Sequence, residues 1–184
     1  MRSDIESSEE VWNVGFVGMG KLGLPVALAI DGSGHRVRGY DIDENVKTYL
    51  DERAIPYREK DSEIYLQYHN IEFTELKNVV SHSDIIFVPI QTPHDPRFEG
   101  VSRIPEERAD FDYSWLKTGI ENLSKEIQRQ GEEKVVIIIS TVLPGTIERE
   151  IKPLLNDYVK LCYNPFFIAM GTTIDDFLNP EFVL

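Results

Sequence analysis

Hydrophobic and polar positions follow two different periods along this chain. Apolar runs bounded by polar residues occur at residues 84–90 and 134–140, and shorter strand-like segments occur at 13–18, 37–40 and 159–162. Continuous apolar runs of this length are typical of strands that are buried on both faces. These five segments are therefore predicted to be strands of one buried, parallel sheet.

Helical spacing of apolar residues appears between these runs. Helices are predicted after the first strand, at residues 44–52 and at residues 113–130. In the first of them, one face is formed by Leu22, Val26, Ala29 and Ile30, and the helix ends at a Gly-Ser-Gly turn at 32–34. Strands that alternate with helices predict an α/β fold with a doubly wound parallel sheet and helices on both faces.

Three glycines follow the first predicted strand with the spacing G-x-G-x-x-G, at Gly18, Gly20 and Gly23. The first allows a tight turn, the second lets the backbone approach a pyrophosphate, and the third lets the next helix pack closely on the strand. A helix beginning near Lys21 directs its unpaired N–H groups towards that pyrophosphate. We therefore predict a dinucleotide site that includes Lys21 and Leu22. A glycine-rich turn without a ligand is the alternative.

An acidic residue strengthens this interpretation. Asp41 ends the second predicted strand, 18 positions after Gly23. An acid about 20 residues beyond the glycines binds the ribose hydroxyls of NAD and repels the 2′-phosphate of NADP. The glycines, strand, helix and acid together predict a Rossmann-type domain that binds NAD.

Net charge and cysteine content exclude several classes of protein. The formal net charge of −13 and the lack of a basic stripe argue against a nucleic-acid partner. The chain has no apolar run of the roughly 18 residues that a membrane-spanning helix needs. A single cysteine, Cys162, excludes an internal disulfide and a cysteine-based metal site, and it fits the reducing cytoplasm. No metal site is predicted, since His94 and Asp95 have no further ligands nearby in the sequence.

Five segments, taken in order, resemble the N-terminal half of the nucleotide-sugar 6-dehydrogenases, the UDP-glucose/GDP-mannose dehydrogenase family. They are the cofactor turn at 15–25, the strand end at 39–43, the strand and Thr-Pro step at 83–93, the Ser-Thr-Val-Leu-Pro-Gly-Thr segment at 140–146 and the Asn-Pro segment at 163–172. The resemblance runs from about Val14 to Leu184, which is less than half of a typical member. It implies an NAD-binding domain at 11–165 and, at 166–184, the start of a connection to a substrate domain. The acidic segment at 1–10, which precedes this resemblance, is predicted to be a disordered tail.

The resemblance also implies an activity. Members of this family oxidise the C6 alcohol of a nucleotide sugar to a carboxylate in two steps that consume two NAD. By resemblance, Thr92 and Pro93 lie against the cofactor, and the Thr141 hydroxyl positions alcohol or water at the reacting carbon. Glu148 matches an acid that borders the cofactor. The alternatives are a structural turn for Thr141 and a favourable helix-start charge for Glu148.

Two departures from the family pattern affect the second oxidation. The family's catalytic cysteine lies beyond residue 184, and Cys162 is predicted to be buried and structural. Phe166 stands where the family has a glutamate that assists attack of water, and Met170 replaces a second acid. Because phenylalanine cannot transfer a proton, the second step is in question even in a longer protein.

Two other functions stay open at this point. A β-hydroxyacid or 6-phosphogluconate-type dehydrogenase shares the cofactor turn, and a non-catalytic nucleotide-binding module would need only that turn. For a nucleotide-sugar dehydrogenase, we expect this chain alone to be inactive and monomeric, and the full-length protein to be a homodimer. The sugar and the nucleotide are not specified by these residues.

Overall fold

A computed structural model describes residues 10–98 and 106–181. Its strands are β1 (Asn13–Val17), β2 (Arg36–Tyr40), β3 (Glu72–Phe73), β4 (Ile85–Val88), β5 (Lys134–Ile138) and β6 (Val159–Tyr163). They form one sheet in the order β3-β2-β1-β4-β5-β6, and every neighbouring pair is parallel. This is the strand order of the Rossmann fold, so the predicted fold class is confirmed.

The described residues form six α-helices, of which the first five lie between strands and the last follows β6. They are α1 (Gly23–Gly32), α2 (Asn45–Glu52), α3 (Ser62–Tyr68), α4 (Leu76–His82), α5 (Ser114–Gln130) and α6 (Thr173–Leu178). A turn of π-helix at Ile147–Ile151 continues into a 3₁₀ turn at Lys152–Leu154, and another 3₁₀ turn lies at Pro96–Phe98. Helix α1 begins at Gly23 rather than near Lys21. The sequence pattern missed α3, β3 and α4, which have two to seven residues each and are too short to establish a period.

Each face of the sheet has its own hydrophobic core. On one face, Phe16 of β1 packs with Leu24 and Leu28 of α1. On the other face, Ile86 of β4 packs with Leu116 of α5 and their neighbours. All of these side chains are at most 1% exposed, and burying each contributes about 1.5–3 kcal/mol. The two cores hold the carboxyl ends of the strands at one edge of the sheet.

The segment after β6 packs on the first core. Ile174 of α6 is 2% exposed, and its N–H donates to the buried Glu59 carboxylate at 3.0 Å. Lys60 and Asp175 form an ion pair of 2.8 Å beside this bond. Residues from 166 onward, which we expect to lead towards a second domain, thus begin by docking on this one. The predicted tail at 1–10 lies outside the described residues except for Glu10.

The prediction of a buried Cys162 is wrong, because its thiol is exposed. Strand β6 is at the edge of the described sheet. Side chains alternate along a strand, so Val159 and Leu161 pack on the second core whereas Cys162 points to the opposite face. Among residues 10–98 and 106–181, no helix is long and apolar enough to cross a membrane.

Candidate dinucleotide site

The turn between β1 and α1 requires glycine at its first position. Gly18 has φ of 109°, in the region that side chains disfavour, and its N–H donates to the Tyr40 carbonyl at 2.8 Å. A Cβ at this position would also lie 3.3 Å from Ile90 Cγ1. The turn is therefore held against the ends of β2 and β4 by its own backbone.

Gly20 and Gly23 meet very different surroundings. A Cβ on Gly23 would overlap the Gly18 carbonyl oxygen and lie 2.7 Å from Pro89 Cγ. A Cβ on Gly20 would meet no described atom within 4 Å. Gly23 is thus needed for packing of the fold, whereas the space over Gly20 is open to a ligand. The close packing at Gly23 agrees with the role predicted for the third glycine, whereas the role of Gly20 at a pyrophosphate stays a prediction.

The N-terminus of α1 has no side-chain cap and no acidic residue in its first turn among the described residues. The first N–H groups of an α-helix have no acceptor within the helix. In α1 no described side chain caps them, and the first turn contains no acidic residue. Lys21 is exposed just before the helix, whereas the Leu22 side chain packs against the first core and leaves only its backbone towards the open side. An uncapped helix start next to open space suits a pyrophosphate.

Asp41 lies beside this turn, as predicted. One carboxylate oxygen accepts a hydrogen bond from the Met19 N–H at 2.5 Å, and the other accepts from the Asp43 N–H at 2.8 Å. Two backbone donors therefore fix the carboxylate between the end of β2 and the glycine turn. Each oxygen retains a lone pair that could accept a ribose hydroxyl.

Ile42 is a candidate site residue that our sequence interpretation missed. It follows Asp41 directly, and 80% of its surface is exposed. An exposed large apolar side chain next to Asp41, the acid predicted to bind the ribose, can pack against the face of a base. The sequence signal was an isolated isoleucine between acids, Asp41 and Asp43, at a strand end.

Thr92 and Thr141 meet at the carboxyl ends of β4 and β5. The Thr92 hydroxyl donates to the Thr141 carbonyl oxygen at 2.6 Å. One residue earlier, the Ser140 hydroxyl donates to the carbonyl of Val88 at 3.1 Å. The structure thus brings together two residues that are 49 positions apart. The Thr141 side chain is exposed at this edge of the sheet.

Pro93 closes the base of the long loop after β4. Its carbonyl oxygen accepts a hydrogen bond from the Asp112 N–H at 2.8 Å. Asp112 in turn accepts a hydrogen bond from the Ser114 N–H at the start of α5, and this bonding lowers the pKa of the Asp112 carboxyl. The two ends of the segment between β4 and α5 are therefore joined, although residues 99–105 lie outside the described chain.

Glu148 is the predicted site residue with the weakest connection to the others. It lies on the π-helical turn after the β5 loop, and its carboxylate pairs with Lys152 at 2.6 Å. Its side chain is 68% exposed. No hydrogen bond or ion pair within the described part of the chain joins it to the other predicted site residues. Its role at the cofactor stays a prediction.

A buried tyrosine holds the loop that follows Thr141. Tyr113 is 7% exposed, and its hydroxyl donates to the Asp110 carboxylate at 2.5 Å. The same oxygen accepts hydrogen bonds from the Leu143 N–H at 3.2 Å and from the Thr146 hydroxyl at 3.3 Å. No local sequence pattern indicated these contacts, because they join residues 30 and 33 positions apart.

Phe166, which the resemblance places where the family has a glutamate, belongs to an aromatic cluster. Its ring lies 5.2 Å from that of Phe177 and 6.3 Å from that of Phe87, measured between centroids. Phe87 stacks in turn on Phe16 at 5.3 Å. These rings continue the first core across the sheet, so Phe166 has a packing role in this fold.

Comparison with known proteins assigns the chain to a class. The family model of the UDP-glucose/GDP-mannose dehydrogenase family, NAD binding domain, matches residues 12–184. The chain belongs to this family and is its NAD-binding domain. Membership confirms the resemblance and NAD as the cofactor, and it decides against the β-hydroxyacid and 6-phosphogluconate alternatives.

Individual relatives agree with this assignment. The chain is 33% identical over 176 residues to the uncharacterized protein MJ1054 of Methanocaldococcus jannaschii, covering 94% of this chain and 18% of that protein. It is 26% identical to the UDP-glucose 6-dehydrogenase AglM of Haloferax volcanii, covering 90% of this chain and 38% of that protein. The chain therefore spans well under half the length of these relatives.

The fold is shared with a solved dehydrogenase. A ternary complex of GDP-mannose dehydrogenase from Pseudomonas aeruginosa superposes with a TM-score of 0.80 at 24% identity. The match covers 92% of this chain and 39% of that one. At this level of identity the likeness shows the fold alone.

Proposed function

We propose that this chain is the NAD-binding part of a nucleotide-sugar 6-dehydrogenase and that NAD lies across the carboxyl ends of β2, β1, β4 and β5. The observation that carries the proposal is the open space over Gly20 at the uncapped start of α1. Candidate contacts lie on both sides of it, with Asp41 on the β2 side and the Thr92–Thr141 pair on the other. Ligands of open α/β sheets bind where the strand order reverses, which here is between β1 and β4.

This arrangement assigns each part of the dinucleotide to particular groups. The pyrophosphate binds the backbone N–H groups of Gly20, Lys21 and Leu22, with the Lys21 ammonium nearby. Asp41 accepts the adenosine ribose hydroxyls, and Ile42 packs on the adenine. The nicotinamide half extends the other way, towards the edge formed by Thr92, Pro93 and Thr141, with Glu148 further along the same loop.

The chemistry proposed for the longer protein is oxidation of the C6 alcohol of a UDP- or GDP-sugar to a uronate in two steps. Bound NAD supplies the hydride acceptor. In this chain the Thr141 hydroxyl holds the alcohol, and later water, at the reacting carbon. By the family resemblance, the catalytic cysteine and the substrate contacts lie in a domain beyond the residues of this chain. We therefore expect the 184-residue chain alone to bind NAD without oxidising a sugar.

A direct experiment compares binding with turnover. The purified chain is titrated with NAD in a calorimeter and is then assayed for NADH with UDP-glucose and with GDP-mannose. We expect heat of NAD binding and no NADH above background. NADH production by this chain, or failure to bind NAD, contradicts the proposal.

The second candidate function is a protein that binds NAD but completes the oxidation slowly or not at all. The aromatic cluster around Phe166 supports it. A partly buried phenylalanine at this position cannot orient water, and Met170, at the second acidic position, is 68% exposed. In the longer protein, the lack of an acid at these two positions favours a first hydride transfer followed by a slow second oxidation, or binding of NAD without catalysis. We expect a burst of NADH and then slow turnover, with Phe166→Glu speeding the slow phase. Absence of any burst favours a non-catalytic module. Steady turnover that Phe166→Glu slows would contradict the proposal that Phe166 limits the second oxidation.

We also propose that the chain alone is monomeric and acts in the cytoplasm, whereas the longer protein is a homodimer. The net charge of −13 supports repulsion between copies. Exposed apolar side chains at Phe167, Met170 and Leu178 act in the opposite direction. Light scattering at low and high salt tests the monomer, and a stable dimer at low salt contradicts it.

A further inference from the structure

We propose that Tyr113 is a positioning residue for the nicotinamide half of the site. Its hydroxyl, oriented by Asp110, fixes the loop at 141–146 so that Thr141 faces the ligand. This inference rests on the NAD site proposed above. Tyr113 and Asp110 are thereby added to the residues that shape the site. Both lie just before α5 and outside the loop at 141–146.

The hydrogen-bonding capacity of the Tyr113 hydroxyl is fully used. A phenol has one O–H donor and two acceptor lone pairs. The donor is directed at Asp110, and the two lone pairs accept the Leu143 N–H and the Thr146 hydroxyl. Thr146 is completely buried. Because the O–H is directed at Asp110, the phenol oxygen presents its lone pairs to the loop, and this sets the positions of Leu143 and Thr146.

A chain of ion pairs keeps Asp110 in place. Its other oxygen accepts from the Arg149 guanidinium at 3.0 Å. Arg149 also pairs with Glu150 at 2.9 Å, and Glu150 pairs with Lys117 of α5 at 2.7 Å. Hydrogen bonding and charge from Glu150 raise the pKa of Arg149, and hydrogen bonds from Lys117 and Arg149 lower the pKa of the Glu150 carboxyl, so both groups are charged at neutral pH. The loop is therefore tied to the start of α5 on both sides of Gly145.

The loop backbone next to Thr141 is held from three directions. The Thr92 hydroxyl binds the Thr141 carbonyl, and Tyr163 at the end of β6 accepts the Val142 N–H at 3.4 Å. Tyr113 accepts the next amide, that of Leu143. With the main chain fixed, the exposed Thr141 side chain is the group that faces a ligand on the β4–β5 edge. Removing the Tyr113 hydroxyl releases the far end of this loop.

The test separates the two halves of the cofactor. Tyr113→Phe is titrated with NAD and with ADP-ribose, which lacks nicotinamide, and Tyr65→Phe is the matched control on the opposite core. We expect Tyr113→Phe to bind NAD about tenfold more weakly, as loss of buried hydrogen bonds would give, and ADP-ribose as the wild type does. The control should match the wild type with both ligands.

Other results overturn the inference. Equal weakening for NAD and ADP-ribose shows a general loss of structure, and unchanged NAD binding shows that the hydroxyl does not position the loop. Should Tyr113→Phe fail to fold, Asp110→Asn keeps the shape, removes the charge that orients the hydroxyl, and is judged by the same two ligands. Failure of wild-type chain to bind ADP-ribose rejects the underlying NAD site instead.

Discussion

The Asp41 carboxylate accepts a hydrogen bond from the backbone N–H of Met19 at 2.5 Å. This bond joins the end of β2 to the centre of the glycine turn. Because the Asp43 N–H binds the other oxygen, the carboxylate is oriented before any ligand arrives. Its negative charge therefore lies at a fixed position where the adenosine ribose is expected.

This relationship predicts which cofactor the chain prefers. We expect NAD to bind more tightly than NADP, because the Asp41 charge repels a 2′-phosphate. Asp41→Ala should reduce the difference in affinity between NAD and NADP, mainly by weakening the binding of NAD. Asp43→Ala is a matched control, since Asp43 bonds to Asn45 instead. Calorimetric titration of the three proteins with both cofactors checks this, and equal affinities of the wild type for NAD and NADP reject the role of Asp41.

The close packing of Gly23 predicts a stability effect. Gly23→Ala places a methyl group against the Gly18 carbonyl oxygen and Pro89. Overpacking of this kind costs about 1–3 kcal/mol of the free energy of unfolding. Gly20→Ala, whose new methyl group meets open space, should unfold close to the wild-type urea concentration. Urea unfolding of both variants measures the difference, and similar midpoints would contradict the packing role of Gly23.

Docking of α6 depends on a buried carboxylate. Glu59 is 7% exposed and accepts the N–H of Ile174 at the start of this helix. Glu59→Ala leaves that N–H without its acceptor and should lower the free energy of unfolding by about 1–3 kcal/mol. Glu52→Ala, an exposed glutamate at the end of α2, is the control. Equal urea midpoints for the two variants would show that α6 is held without Glu59.

His82, in the last turn of α4, predicts a dependence of stability on pH. Burial lowers the pKa of His82 below its ordinary value of 6.5, and the charge of Arg38 lowers it further, against the opposing effects of Glu72 and Asp84. The unfolded chain therefore binds a proton at higher pH than the folded chain. Stability contributed by the neutral imidazole is present above pH 6.5 and is lost as pH falls towards the lowered pKa.

The measurement compares urea unfolding at about pH 7.5 and about pH 5.5 in wild type, His82→Gln and His94→Gln. We expect the fall in stability between these values to be smaller in His82→Gln than in the wild type. His94 is an exposed loop residue and should leave the fall unchanged. The same fall in all three proteins would assign the pH dependence to other groups.

Local features of the fold were predictable, whereas contacts between distant residues were not. The glycine turn could be recognised because Gly18 and Gly23 meet requirements set by their own backbone and immediate neighbours. Tyr113 could not, since its partners are supplied by the packing of α5 against the β5 loop. Burial of Cys162 was predicted wrongly because the sequence does not reveal that β6 lies at the edge of the described sheet. Strand β3, with two residues, is too short to give any pattern.

Binding of NAD over Gly20 can be tested by comparing two proteins. The wild-type chain and Gly20→Ala are titrated with NAD after urea unfolding has shown that both are folded. We predict that the wild type binds NAD and that Gly20→Ala, equally stable, binds it at least about tenfold more weakly because the methyl group occupies the space of the pyrophosphate. Equal NAD affinity in the two proteins would show that the pyrophosphate does not bind over Gly20.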